Sequence, residues 1–202
     1  MDKMKKTAIG IRVHSGWGAL VAVFGDPGAA EVIRRKRVAI IDPKAAGAAQ
    51  PYHFAEKMEF RNAEKHIAMC AATSASLALA ALTQIVQELQ SLECKVVGSA
   101  ILLSSGRPLP ALERILASHA LIHTAEGEFF RKIFREASEH LQIPVIGIPE
   151  RQLDEHLHAA FGKAAPGLNQ RIAAMGRSLG PPWTTDQKTA ALAAAIVLKN
   201  NR

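Results

Sequence analysis

The N-terminal part of the chain contains three runs of apolar and β-branched residues separated by turn residues. The first two runs, 8–13 and 19–24, flank Gly16 and Gly18, and this arrangement predicts a β-hairpin. Residues 31–41 predict a third strand. Its centre carries four consecutive basic residues, Arg34, Arg35, Lys36 and Arg37. Because four charges in a row cannot all be buried, we expect this strand at an edge of the sheet.

Beyond the third strand, the pattern changes to helical periods separated by two short apolar runs. Residues 63–92 repeat apolar residues at intervals of three and four, which predicts one face of a helix. The nearly continuous apolar run at 95–103 predicts a strand buried on both faces, and 143–149 predicts another. Residues 42–62 lack a period and predict a long connector. Further helices are predicted at 110–141 with a break near His123, at 150–161, at 168–179 and from Thr184 or Thr185 onward.

The composition, with 49% hydrophobic and 21% charged residues among 202, is typical of a protein that buries one core. We therefore expect a single domain over residues 1–202. The N-terminus lacks the apolar centre of a signal peptide, and polar residues interrupt the alanine-rich stretch at 67–89, so we expect a cytoplasmic protein without a membrane span. Cys70 and Cys94 are too few and too far apart for a disulfide framework or a metal site, which predicts two buried, reduced thiols.

The net charge of +7 favours an anionic partner such as nucleic acid or a phosphorylated ligand. Solubility also favours a net charge away from zero, so the charge does not by itself identify a partner. Aromatic residues make up only 5% of the chain, which makes contact with a duplex backbone a better interpretation than base stacking on a single strand.

Several segments together resemble one group of proteins. Ile9-Gly10-Ile11 precedes a glycine-containing turn, and Asp186 to Leu198 forms the last helical pattern. Between them lie Glu126-Gly127-Glu128-Phe129-Phe130, Ile143-Pro144-Val145-Ile146 and Pro149-Glu150-Arg151. On these residues and on the order of its elements, the chain resembles bacterial Holliday-junction resolvases of the ribonuclease H-like superfamily. The resemblance implies an α/β fold, a ribonuclease H-like three-layer domain in which a mixed five-stranded sheet has helices on both faces.

The resemblance also implies a site, because such nucleases hold two divalent metals with carboxylates from the first strand, the fourth strand and the last helix. In this chain Arg12 stands at the first-strand position, and the fourth strand ends in Ser104 and Ser105. Only Asp186 remains, at the position of the last-helix acid. These departures imply a protein without ordinary two-metal cleavage.

Three functional hypotheses follow. The first is a catalytically reduced relative that binds nucleic acid or another anionic partner through Arg12, Arg34, Arg35, Lys36, Arg37 and Arg107. The second is a divergent nuclease or hydrolase with a relocated acidic site, which requires Glu126 and Glu128 to face the strand ends, or uses His14 with a nearby serine. The third is a nucleotide-binding protein, because sugar kinases and actin-like ATPases have a similar strand, glycine turn and strand, here around Gly16-Trp17-Gly18. A homo-oligomer with a structural role also fits the sequence.

One group of residues is expected to share a cleft at the sheet edge: Arg12, His14, Ser15, Ser105, Glu128 and Asp186. No catalytic role is assigned among them. His119 and His123 are four residues apart and could share a helical face, but no nearby acid completes a known zinc pattern, so we expect a surface or packing role. The sequence thus predicts neither a metal nor a cofactor.

Overall fold

A computed structural model describes residues 4–104 and 108–201, so the predicted site residues Ser105 and Arg107 lie outside the described residues. The strands are β1 (Lys5–His14), β2 (Trp17–Phe24), β3 (Glu31–Ala39), β4 (Cys94–Leu103) and β5 (Val145–Pro149). The helices are α1 (Pro51–Ala55), α2 (Phe60–Ser91), α3 (Leu112–Leu116), α4 (His119–His140), α5 (Leu153–Phe161), α6 (Ala165–Ala174), α7 (Gly176–Leu179) and α8 (Thr185–Asn200). Single 3-10 turns occur at Pro27–Ala29, Glu150–Gln152 and Gly162–Ala164.

The five strands form one mixed sheet in the order β3-β2-β1-β4-β5. The predicted hairpin is confirmed, since β1 and β2 are antiparallel and joined by the two-residue turn Ser15-Gly16. The strand β3 pairs with β2 alone and lies at the edge, as the basic run predicts. The strands β4 and β5 run parallel to β1, so the carboxyl ends of these three strands lie at the same edge of the sheet.

Helices cover both faces of this sheet, which confirms the three-layer α/β prediction. Because side chains alternate along a strand, Ala8 of β1 packs on the α8 face, whereas Ile9 and Ile11 pack on the opposite face against α2 and α4. The α8 layer also includes α5 and α6. Both cysteines are buried and free, as predicted.

The approach of α8 to the sheet depends on Gly10. A Cβ atom added at Gly10 would lie 1.9 Å from the carbonyl oxygen of Ala190, so only glycine leaves room for the helix backbone there. Residues 190–198 of α8 are all buried, and most of them are alanine, which allows close contact. Because Ala190 lies over Gly10, Asp186 lies one helical turn earlier, above Arg12.

Several element boundaries differ from the sequence prediction, and two of them affect the positions of candidate site residues. The connector at 42–62 contains the short helix α1, which begins at Pro51, a residue that favours the first helical position. The break predicted near His123 occurs instead at Ser118, whose extended backbone (φ −140°, ψ 112°) separates α3 from α4. His123 therefore lies in the second turn of a continuous helix, on the same side as His119.

Among the described residues, α2 is the one helix long and apolar enough to cross a membrane, judged by length and composition alone. Helices in protein cores have the same length and composition, so this is weak evidence for a membrane span. In this structure α2 contributes Leu82, Ile85 and Leu89 to the core beneath the sheet.

Candidate functional site

Four side chains from four elements meet at the carboxyl edge of the parallel strands. Arg12 lies near the end of β1, Ser104 follows β4, Glu150 follows β5, and Asp186 lies in the first turn of α8. Ligand sites of open α/β sheets are commonly found at this edge. The structure thus brings Arg12 and Asp186 into contact and adds Glu150, which is absent from the candidate residues named from the sequence.

Arg12 lies between two carboxylates. Its Nη1 donates to Oδ1 of Asp186, and its Nη2 donates to Oε1 of Glu150 at 2.5 Å. Burial by itself would lower the pKa of Arg12, but the hydrogen bonds and negative charges of Glu150 and Asp186 outweigh burial, and the pKa is raised. The guanidinium is therefore a permanent cation held at a fixed position, and its side chain is 23% exposed.

His14 and Trp17 extend this arrangement along the sheet. The Nε2 atom of His14 lies 3.2 Å from Oδ1 of Asp186, which is ion-pair distance without hydrogen-bond geometry. The His14 ring stacks on Trp17 with 4.3 Å between centroids, and the guanidinium carbon of Arg37 lies 4.2 Å from the centre of the Trp17 ring. Ser15 is exposed in the turn that follows His14. Polar and aromatic groups thus continue from the edge towards β3.

Glu128 faces the strand ends from α4. Its Oε1 accepts a hydrogen bond from Oγ of Ser104 at 2.9 Å and lies 3.6 Å from Nη1 of Arg131. Arg131 also donates through Nε to the carbonyl oxygen of Leu102. Burial lowers the pKa of Arg131, and the charges of Glu128 and Glu150 oppose that effect. Acids and guanidinium groups therefore alternate along the edge.

The second predicted replacement acid, Glu126, lies elsewhere. Its Oε1 accepts the backbone N–H groups of Tyr52 and His53, at 2.7 and 3.0 Å, and its side chain is 6% exposed. Residues two positions apart point about 200° apart around a helix, so Glu126 and Glu128 face different sides of α4. The hypothesis that both acids replace the missing ligands is therefore wrong for Glu126.

The edge does not fit a pair of divalent metals. Hard cations need several oxygen ligands with uncompensated negative charge. Here the carboxylates of Asp186 and Glu150 both bind the same guanidinium, and Glu128 lies beside Arg131, so two guanidinium groups already compensate two of the three acids. A metal ion bound to Asp186 or Glu150 would lie beside the fixed positive charge of Arg12 and be repelled by it. Arg12 therefore holds the position between these two acids that a divalent ion would need.

An open cavity of about 960 Å³ lies beside this edge. It is lined by Leu103, Ser104, Arg131, Pro149, Glu150, Arg151 and Gln152. Arg151 is exposed, and Arg131 reaches the same cavity from α4. This places two guanidinium groups where a phosphate group could reach them.

The basic run of β3 is divided between the two faces of the sheet. Arg34 pairs with Glu88 of α2, and Nζ of Lys36 lies 3.7 Å from the same carboxylate. On the other face Arg35 donates to the carbonyl oxygens of Leu179, Gly180 and Pro182, at 2.5, 2.8 and 2.5 Å, and Arg37 stacks on Trp17. The four side chains therefore do not form one continuous basic surface.

We expect Arg35→Ala to lower the free energy of unfolding by about 2 kcal/mol, because three carbonyl oxygens at the end of α7 and just beyond it lose a charged donor. Arg34→Ala is the matched control from the same strand. The Arg34 side chain is 42% exposed in its ion pair with Glu88, so we expect the free energy of unfolding to change by less than about 1 kcal/mol. Urea denaturation measures both. Equal losses in the two variants would contradict a structural role specific to Arg35.

The glycine turn differs from the one that the nucleotide-binding hypothesis needs. Trp17 and Gly18 belong to β2, and a Cβ atom at Gly18 would lie 2.9 Å from side-chain atoms of Ile11 and Phe134 in the core. Only Ser15 and Gly16 form the turn. The segment Gly16-Trp17-Gly18 is therefore not an open loop of backbone N–H groups.

Comparison with known proteins supports the fold. No family model matches the chain, and no curated protein matches it. Among solved structures, the chain is similar to Thermus thermophilus RuvC in complex with a Holliday junction substrate, with a TM-score of 0.54 and 10% sequence identity over 95% of this chain and 91% of that one. A second RuvC structure from Thermus thermophilus has a TM-score of 0.52 and 10% identity, and the match covers 94% and 91% of the two chains. The chain therefore has the ribonuclease H-like fold in the form found in the RuvC resolvase.

Proposed function

We propose that this protein binds nucleic acid through the phosphate backbone at the carboxyl edge of its sheet and does not cleave it by a two-metal mechanism. The observation that carries the absence of two-metal cleavage is the guanidinium of Arg12 between Asp186 and Glu150. A planar guanidinium matches carboxylate geometry and stays charged at every physiological pH. The guanidinium of Arg12 thus neutralises the acids that a metal ion would otherwise neutralise, and it occupies the position of that ion.

Three features support nucleic acid as the anionic partner. The chain carries a net charge of +7, Arg131 and Arg151 line the cavity beside the edge, and the protein of similar fold was solved with a Holliday junction. Arg107, which lies in sequence shortly after Ser104, belongs to the proposed interface. Backbone contacts of this kind depend on charge and shape and need no base-specific hydrogen bonds.

Salt-dependent binding tests this proposal. We expect a labelled four-way DNA junction to bind with an affinity that falls linearly with salt on logarithmic axes, with a slope of about −0.9 for each phosphate contacted. Arg151→Ala is expected to reduce the slope by about one contact. Arg61→Ala is the matched control, because Arg61 is exposed on α2, on the opposite face of the sheet. Fluorescence anisotropy at several KCl concentrations gives the slopes.

Two results would overturn the proposal. One is the absence of binding to the junction, to duplex DNA and to duplex RNA at low salt. The other is an identical salt slope for Arg151→Ala and Arg61→Ala, which would place the contacts away from the cavity beside β5.

A hydrolase with a relocated acid is the second candidate. The hydrogen bond from Ser104 to Glu128 favours it, because the pair lies at the end of β4 where a substrate could reach both groups. Glu128→Gln separates the two candidates. Under the first it retains phosphate binding, because it removes only a negative charge beside Arg131, and under the second it abolishes turnover.

A further inference from the structure

Three histidines from two separate segments converge at the start of α4. His53 of α1 lies against His119 and His123, with ring centroids 5.4 and 4.6 Å from theirs. The Nε2 atoms of His119 and His123 are 3.1 Å apart. One nitrogen from each of the three rings lies within 4.8 Å of the other two. Each neutral imidazole has one nitrogen that can act as a metal ligand, so three such nitrogens this close together can bind one ion.

A buried carboxylate orients one of these rings. Oε1 of Glu126 lies 3.4 Å from Nδ1 of His53, at the long end of hydrogen-bond distance, and it also accepts the backbone N–H groups of Tyr52 and His53. With Nδ1 directed at Glu126, the other nitrogen of His53 is left for the cluster. A histidine that donates one ring N–H to a carboxylate and binds a metal with its other nitrogen is a recurrent arrangement in metal proteins.

We propose that His53, His119 and His123 bind one Zn²⁺ ion, with Glu126 as the positioning residue for His53. Tetrahedral zinc with bonds of about 2.0–2.1 Å to nitrogen separates its ligand atoms by about 3.3 Å. The 3.1 Å between His119 and His123 is already close to that spacing. One nitrogen of His53 lies within 4.8 Å of both, so this ring has to move closer to the other two when the ion binds.

The coordination chemistry selects the class of metal and its open position. Three imidazoles favour zinc and similar transition metals over Mg²⁺ or Ca²⁺, which prefer oxygen. His119 and His123 are exposed, so the fourth position faces solvent, where water or an anionic ligand would bind. This zinc site is separate from the Arg12 edge and does not depend on nucleic-acid binding, because Glu126 and Glu128 face different sides of α4.

Zinc titration of the chelator-treated full-length protein tests the site. In competition with a chromophoric chelator, we expect one Zn²⁺ per chain, and His123→Ala is expected to weaken binding more than about 100-fold. His156→Ala is the matched control, because His156 is an exposed histidine on α5 outside the cluster. Circular dichroism checks that each variant is folded. Because His123 is exposed, we expect its replacement by alanine to leave the fold intact.

Glu126→Gln tests the positioning role with a different readout. The glutamine carbonyl still accepts the N–H groups of Tyr52 and His53 but carries no negative charge. Without that charge the His53 ring is a less basic ligand, so zinc affinity is expected to fall about 10- to 100-fold with the stoichiometry unchanged. Substitution of Co²⁺ reports the ligand geometry, because tetrahedral Co²⁺ gives intense visible absorption bands. We expect these bands in the native protein and in His156→Ala, and we expect none in His123→Ala. Failure to bind one equivalent of Zn²⁺, or equal affinity in His123→Ala and His156→Ala, would overturn the proposal.

Discussion

Gly10→Ala is expected to lower the free energy of unfolding by about 3 kcal/mol, although it adds only one methyl group. The new Cβ atom would lie 1.9 Å from the carbonyl oxygen of Ala190 and 3.0 Å from the backbone nitrogen of Ala194. Both neighbours are backbone atoms of α8, which cannot rotate away as a side chain would. The helix must therefore move off β1, and Asp186 moves with it away from Arg12.

Gly167→Ala is the matched control for this substitution. Gly167 lies in α6, and a Cβ atom added there meets no heavy atom within 4 Å. Because alanine favours helix more than glycine does, the stability of this variant should stay equal or rise by up to about 1 kcal/mol. Chemical denaturation monitored by circular dichroism measures both variants. Equal stability for the two would mean that α8 does not depend on Gly10 for its position.

Arg12→Asp is expected to turn the sheet edge into a magnesium site. Without a cation, the new carboxylate faces Glu150 and Asp186, and mutual repulsion should cost about 2 kcal/mol, since these groups are partly exposed. Added Mg²⁺ should then restore stability by about 2.7 kcal/mol at 100 times its Kd. Magnesium is the correct probe because it prefers carboxylate oxygen and does not compete for the histidine cluster.

Arg12→Met provides the control, because it removes the guanidinium without adding an acid. Its melting temperature should respond to Mg²⁺ less than that of Arg12→Asp, and the native protein should respond least. The order native, Arg12→Met, Arg12→Asp is the expected result in a thermal-shift titration. A native protein that responds to Mg²⁺ as strongly as Arg12→Asp would show that its guanidinium does not occupy the cation position.

Much of the fold follows from local pattern. The apolar, β-branched runs of β1 and β2, the charge of β3 and the apolar run of β4 are properties of consecutive residues, and each predicts its strand. The position of Asp186 above Arg12 could also be predicted from the sequence, because proteins with the same order of elements bring the same strand and helix ends together. The local pattern is sufficient to predict an element when the residues of that element alone determine its structure.

The missed features depend on contacts between distant segments. Glu150 follows a strand that ends at the same edge as β1, so its position could have been found by asking which side chains follow each parallel strand. His53 lies in a region without periodicity, in a helix of five residues whose position is set by packing and by Glu126. Nothing in the spacing of His119 and His123 indicates that a third ring and a buried acid come from elsewhere in the chain.

The most direct test of the account is a cleavage assay on an end-labelled four-way DNA junction with Mg²⁺ and the native protein. Because a guanidinium takes the position between Asp186 and Glu150 that a divalent ion would need, we expect the junction to be bound and every strand to remain intact. Cleavage that requires Mg²⁺ and disappears in Asp186→Asn would contradict it.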